Sequence, residues 1–255
     1  MTNRDILQTA VRQSAIDCSC KPEDFLDGEN HIVISESSDS ARRYLTLPHF
    51  CNLVSYGSGI VACCDERFMD DVASYLAKYP AEHCFETPNL HVFSSLLEPY
   101  GMKACFMAEY FLPDVNVLKP LDCGYELRMM TQPDFAELYR PEWSNALCEK
   151  RKHLDVLGIG AYDQGALVGF AACSADCDDM WQIGIDVLPA YRRRGIAACL
   201  TSRLALAILE RGKVPFYCAA WSNIASVRNA IKAGFRPAWA ELTAKPAAFV
   251  DEMNA

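Results

Sequence analysis

The sequence predicts two domains of mixed α/β class, and three observations carry that prediction. Segments with strand and helix periodicity alternate along most of the chain. An aperiodic stretch with two prolines, LPDVNVLKPLD at 112–122, interrupts them near the middle. At 255 residues the chain also exceeds the roughly 100–150 residues of a common single domain. A boundary near Leu121 divides it into an amino-terminal α/β domain at 1–120 and an α+β domain at 121–255. The second should carry a mixed, mostly antiparallel sheet flanked by helices.

In the first domain, apolar runs at 50–55 and 60–64 flank the tight YGSG turn and suit a hairpin. Asp65 is placed to cap a helix whose Phe68, Val72, Tyr75, Leu76 and Tyr79 recur at helical spacing. Residues 83–86 read as a short strand. Thr87, Pro88 and Gly101 then mark the two ends of a helix carrying Leu90, Phe93, Leu96 and Leu97, and strand character returns at 103–111.

In the second domain, Tyr125, Leu127 and Met129 alternate as a strand, and Thr131 with Asp134 forms a capping arrangement for a short helix. Strands at 156–162 and 166–173 meet at the compact turn Asp163–Gln164–Gly165. Ile183, Ile185 and Val187 alternate in another strand, which Pro189 stops. After it, Ile196, Leu200, Leu204, Ala207 and Ile208 describe a helix that Gly212 closes. A strand at 214–221 precedes a last helix, capped by Ser222 or Asn223 and ended by Gly234, with Ile224, Val227 and Ile231 on one face.

The net charge of -9 and a pI near 5.1 exclude broad affinity for nucleic acid or anionic lipid. No apolar run approaches a membrane span and the opening residues lack a signal-peptide pattern, so a soluble cytoplasmic protein is expected. The thirteen cysteines are odd in number, and many sit inside apolar runs. Buried reduced thiols are the expectation. The close pairs Cys18 with Cys20, Cys63 with Cys64 and Cys173 with Cys177 do not form zinc knuckles, and no metal is expected.

The chemistry concentrates at the turn between the strand ending at Val187 and the helix opening at Ile196. A helix start has free backbone donors and positive dipole, Gly195 lets a ligand approach, and Ala197 leaves room for phosphate groups. Arg192, Arg193 and Arg194 raise the local positive potential. Pyrophosphate binding is one reading; a solvated basic turn paired with surface acids is the other. A dinucleotide-binding turn would need G-x-G-x-x-G, and a P-loop would need Gly-Lys-Ser or Gly-Lys-Thr; neither occurs.

The order Val187, Pro189, Tyr191, then R-x-x-G-x-A from Arg192 through Gly195 to Ala197, resembles the acetyl-CoA segment of the GNAT superfamily of N-acetyltransferases. Asn223, Ser226 and the closing Gly234–Phe235 resemble its second CoA-binding helix, and the likeness covers 123 to about 250. The overall spacing is also similar to bacterial members with an extra amino-terminal domain. The resemblance implies direct acetyl transfer from acetyl-CoA to a small-molecule or peptide amine. It further implies pyrophosphate binding by Arg192, Arg193, Arg194, Gly195, Ile196 and Ala197, pantetheine contacts from the main chain of Asp186 and Val187, and CoA binding by Asn223 and Ser226. A catalytically inactive acyl-CoA sensor on the same fold is the alternative.

One departure stands out: many relatives carry a general-acid Tyr seven residues after the Asn, where this chain has Ala230. Tyr217, Cys218 and Ser226 lie near the expected cleft, but no catalytic role is assigned to them. Asp186 is a candidate base through water, and Asp176, Asp178 and Asp179 form an acidic loop that suits a cationic amine or simply solvent. The acceptor and the oligomeric state are not legible. The amino-terminal domain resembles a worn second copy of the fold. Its counterpart of the arginine turn is CCDERFMDD, whose carboxylates disfavour a second CoA.

Overall fold

The computed structural model describes residues 1–255, which form two compact units. One comprises residues 1–10 and 111–237, the other 11–110 and 238–255. The division therefore falls inside two long strands rather than near Leu121. Each of these strands runs for 12 residues and belongs to one unit at one end and to the other unit at the other end. Two prolines and a lack of periodicity marked 112–122 as a linker, whereas hydrogen-bonded strand continues to Pro113.

In chain order the helices are α1 (Asn3–Cys18), α2 (Met69–Lys78), α3 (Thr87–Leu97), α4 (Ile196–Glu210), α5 (Ile224–Lys232) and α6 (Ala247–Met253). The strands are β1 (His31–Ile34), β2 (Cys51–Ser55), β3 (Val61–Cys64), β4 (Met102–Pro113), β5 (Glu126–Thr131), β6 (Asp155–Asp163), β7 (Ala166–Ser174), β8 (Met180–Val187), β9 (Val214–Ala219) and β10 (Phe235–Pro246).

In the unit holding residues 11–110, strands follow the order β1-β3-β2-β10-β4. The predicted hairpin is present as antiparallel β2 and β3, while β1 joins β3 in parallel. Phe68, Val72, Tyr75 and Phe93 from the helical segments bury against Leu53, Ala62 and Leu242 from the strands. A second buried cluster is polar: Arg42 reaches Asp17 at 2.7 Å and Glu241 at 3.7 Å. Its guanidinium also lies 5.4 Å from the centre of the Trp239 ring, and Tyr56 and Tyr110 stack on that ring. Residues 83–86 are not a strand; Ala81–Phe85 form a 3-10 helix between Pro80 and Pro88, which leave no room for an extended ladder. Asp65 caps a 3-10 turn ahead of α2, accepting from the backbone N–H of Arg67 at 2.9 Å. The Arg67 side chain hydrogen-bonds the same carboxylate and holds it at about 2.

In the other unit the order is β9-β8-β7-β6-β5. Neighbours are antiparallel except β8 and β9, which are parallel. This is the mixed, mostly antiparallel sheet that the sequence predicts. Ile196, Leu200, Leu204 and Ile208 of α4 bury against Leu157, Ile159, Val168 and Ala171 of the sheet. Phe135, Trp143, Ala146 and Leu147 form a smaller core with Phe170 and Ala172. Thr131 and Asp134 make the predicted capping box, on a 3-10 turn (Gln132–Phe135) rather than an α-helix.

Candidate active site

The site lies in the unit of residues 111–237 and begins where β8 and β9 separate. They pair only at Met180 with Val214, Trp181 with Pro215 and Gln182 with Phe216. Beyond those positions β8 continues to Val187 and β9 to Ala219, with no ladder between them. Backbone groups along that open edge are available to a ligand. The opposite edge of β8 stays paired to β7 as far as Val187 opposite Gly169, so the split strand is held firmly from one side.

Beyond the split, the chain turns into α4 through two consecutive devices. Arg193 sits in the left-handed region at φ 64° and Gly195 at φ 83°. The first is strained for a residue with a Cβ; the second is not. No side chain caps α4, and the backbone N–H groups of its first turn have no intrahelical acceptor. An open cavity of about 160 Å³ lies over them, lined by Val187, Tyr191, Arg193, Gly195, Ile196, Ala197 and Ala198, and by Arg228, Asn229 and Lys232 of α5. Arg193, Arg228 and Lys232 thus add three cations to the positive end of a helix dipole. Such a cavity suits an anion with several negative charges.

The chain carries a match to the GNAT acetyltransferase family model over residues 97–239. It belongs to the GNAT acetyltransferase family. Solved structures with a similar fold include a GNAT-family protein from Novosphingobium aromaticivorans, at 21% identity and a TM-score of 0.45 over 56% of this chain and 66% of that one. Another is a GCN5-related N-acetyltransferase-like protein from Streptococcus suis, at 22% identity and a TM-score of 0.45 over 60% and 68%. A third is a GCN5-related N-acetyltransferase from Kribbella flavida, at 17% identity and a TM-score of 0.45 over 58% and 62%. No curated protein matches the chain. The chain thus spans about two thirds of those structures' lengths, and the family assignment rests on the family model alone.

Within this GNAT unit, the residues expected to bind cofactor divide into two groups. Val187, Arg193, Gly195, Ile196 and Ala197 line the cavity. Arg192 and Arg194 do not: Arg192 Nε donates to the Val187 carbonyl at 3.0 Å, and Arg194 donates to the Tyr125 hydroxyl at 3.0 Å and the Ala190 carbonyl at 3.1 Å. Those two arginines brace the turn. Asn223 caps α5, accepting from the Ser226 N–H at 3.2 Å.

The Asp186 carboxylate is already committed. It accepts from the backbone N–H groups of Asn145 at 2.8 Å and Ala146 at 3.0 Å, and from Asn145 Nδ2 at 2.6 Å. The same segment crosses β8 at Gly184, where an added Cβ would meet the Asn145 carbonyl oxygen at 1.8 Å. The carboxylate therefore fastens a wall beside the split, and its main chain remains on the strand. In the acidic loop, Asp176 is fully buried, accepting from Ser174 Oγ at 2.7 Å and Arg151 at 3.1 Å, so it does not meet solvent or substrate.

Sequence reasoning missed Arg228 and Lys232. Four residues apart on α5, they were visible as a cationic stripe, but the same spacing describes any solvated helix face. Of Ile224, Val227 and Ile231, read as sharing one face, only Val227 packs against the core, with Ala230 and Ala233 buried in it, while Ile224 and Ile231 are 52% and 54% exposed. Ala230, with no exposed surface, offers no vacant slot for a tyrosine.

All thirteen cysteines are free. In the other unit Asp24, Asp27 and His31 come together with ligand atoms within 4.8 Å of one another. His31 faces Asp27 through Nε2 at 2.9 Å and Asp24 through Nδ1 at 4.0 Å.

Proposed function

We propose that the protein is an acetyl-CoA-dependent N-acetyltransferase that moves an acetyl group directly to the amine of a small molecule or peptide. The observation that carries this reading is the uncapped start of α4, ringed by Arg193, Arg228 and Lys232 and continuous with the open edge of β8. A CoA molecule matches both parts: phosphates for the cationic cavity, and an amide-bearing pantetheine arm for the unpaired strand edge.

In this reading the α4 N–H groups and the three cations hold the phosphates, and Arg192 and Arg194 keep the turn in shape. Main-chain groups of Asp186 and Val187 align the pantetheine, while Asn223 fixes the start of α5 beside it. The amine attacks the thioester carbonyl carbon, the new C–N bond forms, and the C–S bond breaks with its electron pair on sulfur. Alignment of the two reactants supplies much of the rate. Thirteen free cysteines suit a reducing cytoplasm. Incubating the protein with acetyl-CoA and a panel of polyamines, amino acids, aminoglycosides and peptides tests the reading. Amide formation with at least one class is expected; acetyl-CoA binding without turnover on any would favour an acyl-CoA sensor.

A further inference from the structure

Two cysteines from separate close pairs in the sequence, Cys18 and Cys63, meet where α1 ends on the sheet. Cys63 of β3 pairs with Val33 of β1 and stands opposite Asn52 of β2. Just past β1, the Glu36 N–H donates to Ser19 Oγ at 3.0 Å, and the Cys20 N–H closes α1 on the Ala15 carbonyl at 3.0 Å. These bonds lay the last turn of α1 beside β1 and β3. There the Cys18 thiol donates a hydrogen bond to Cys63 Sγ, and both sulfurs are buried.

The two sulfurs are not equivalent. The Ser35 hydroxyl also donates to Cys63, and its oxygen in turn accepts from the His49 N–H at 2.8 Å. Hydrogen bonds from Cys18 and Ser35 hold the Cys63 thiol below its ordinary value against the effect of burial, while the contact with Cys63 and burial push Cys18 up. The Asp17 carboxylate would oppose a thiolate there, but it pairs with Arg42 at 2.7 Å. Buried thiols without such donors behave differently: burial pushes Cys84 up to about 11. Access to the pair lies through the end of α1. Ser19 holds a left-handed backbone at φ 59°, strained for a residue with a Cβ, and Ser19 and Cys20 are only half-buried. A helix end of this kind opens locally at low cost, which admits a small uncharged molecule.

We propose that Cys18 and Cys63 form a peroxide-sensitive dithiol, in which Cys63 attacks hydrogen peroxide and Cys18 resolves the product to a reversible disulfide. The inference is independent of the acetyl-CoA reading. The Cys63 thiolate attacks one peroxide oxygen: an S–O bond forms, the O–O bond breaks, and hydroxide leaves and takes the proton that the Cys63 thiol released. The sulfenic acid so formed is neutral, so the thiolate that held the proton on Cys18 is gone. The Cys18 sulfur then attacks the Cys63 sulfur; the S–S bond forms, the S–O bond breaks, and hydroxide departs with the Cys18 proton as water. Two electrons pass from the sulfurs to the peroxide, and two thiols with one peroxide give one disulfide and two waters.

Peptide mapping by mass spectrometry tests this on the whole wild-type chain, after brief treatment with hydrogen peroxide and alkylation of the remaining thiols. A disulfide joining the Cys18 and Cys63 peptides, lighter than the reduced pair by two hydrogen atoms and reversed by dithiothreitol, is expected. Cys18→Ser should strand Cys63 as a sulfenic acid that dimedone labels, whereas Cys63→Ser should leave Cys18 a thiol. Ser35→Ala removes one donor to sulfur and should slow Cys63 oxidation roughly 3- to 10-fold. A disulfide at another pair, such as the cross-strand neighbours Cys51 and Cys64, overturns the proposal. So does a Cys63 that oxidises no faster than Cys84 in the same sample. Both of those outcomes are read in the wild type, so the test does not depend on a variant folding.

Discussion

The Nε of Arg192 donates to the carbonyl oxygen of Val187 at 3.0 Å, tying the approach to α4 back to the end of β8. The neighbouring Arg193 makes the opposite use of its side chain: it lines the cavity from a strained backbone at φ 64°. Under the acetyl-CoA reading, the turn therefore separates bracing from binding at adjacent positions.

Arg193→Gly tests that separation. Glycine relieves the left-handed strain and removes one cation from the cavity. Thermal unfolding should show unchanged stability or a gain of up to about 1 kcal/mol, while acetyl-CoA affinity falls roughly 5- to 30-fold, as expected for loss of a charge-assisted contact worth about 1–2 kcal/mol. Loss of stability with affinity retained would reverse the assignment.

Arg228 and Lys232 line the same cavity from α5. Replacing both by alanine should weaken acetyl-CoA binding and flatten its dependence on salt, because fewer cations then meet the phosphates. Titrations at low and high ionic strength check this. An equal salt dependence in wild type and double variant would remove α5 from the phosphate site.

Asp186 anchors Asn145 and Ala146 through three hydrogen bonds. Asp186→Ala leaves the buried Ala146 N–H unmet while water can reach that of the exposed Asn145, and should cost about 1–2 kcal/mol of stability. Its main chain persists, so acetyl-CoA affinity should change little, whereas KM for the amine should rise as the wall loosens. Steady-state kinetics with the acceptor identified in the panel separates the two constants. A rise confined to the acetyl-CoA constant would contradict this role.

Asp155 is 1% exposed, and burial raises its carboxyl to about 6, against hydrogen bonds from the Cys148 N–H at 3.1 Å and the Tyr139 hydroxyl at 3.2 Å. A carboxyl whose folded value lies above its unfolded value favours folding while protonated. That contribution is complete below about 4 and is lost as pH rises through about 6. Wild-type stability should therefore fall across this window by up to about 3 kcal/mol, and Asp155→Asn should flatten the fall. Denaturant unfolding at pH 4 and pH 7 measures both, and an identical slope in the variant would contradict the assignment.

Legibility in the sequence followed locality. Gly195, the Asn223 cap and the Thr131–Asp134 box announce themselves through backbone geometry and short-range hydrogen bonds, and each is present. The β2–β3 hairpin was readable for the same reason. Positions decided by distant partners were not. The weakly amphipathic α1, the short β1 and the proline-bearing β10 carry no strong period of their own, and the roles of Arg192 and Arg194 depended on Val187, Ala190 and Tyr125. Ala230 marked the absence of the usual acid, but its burial, which closes that position, is a property of packing.

The proposed function stands on one acetyl-CoA site per chain, at the start of α4. Calorimetric titration of wild type and Gly195→Glu with acetyl-CoA is the decisive test. The glutamate forces a Cβ into a backbone at φ 83° and sets a negative charge where phosphates would bind. One site is expected in the wild type and none in the folded variant; two equivalent sites, or wild-type affinity in folded Gly195→Glu, would contradict it.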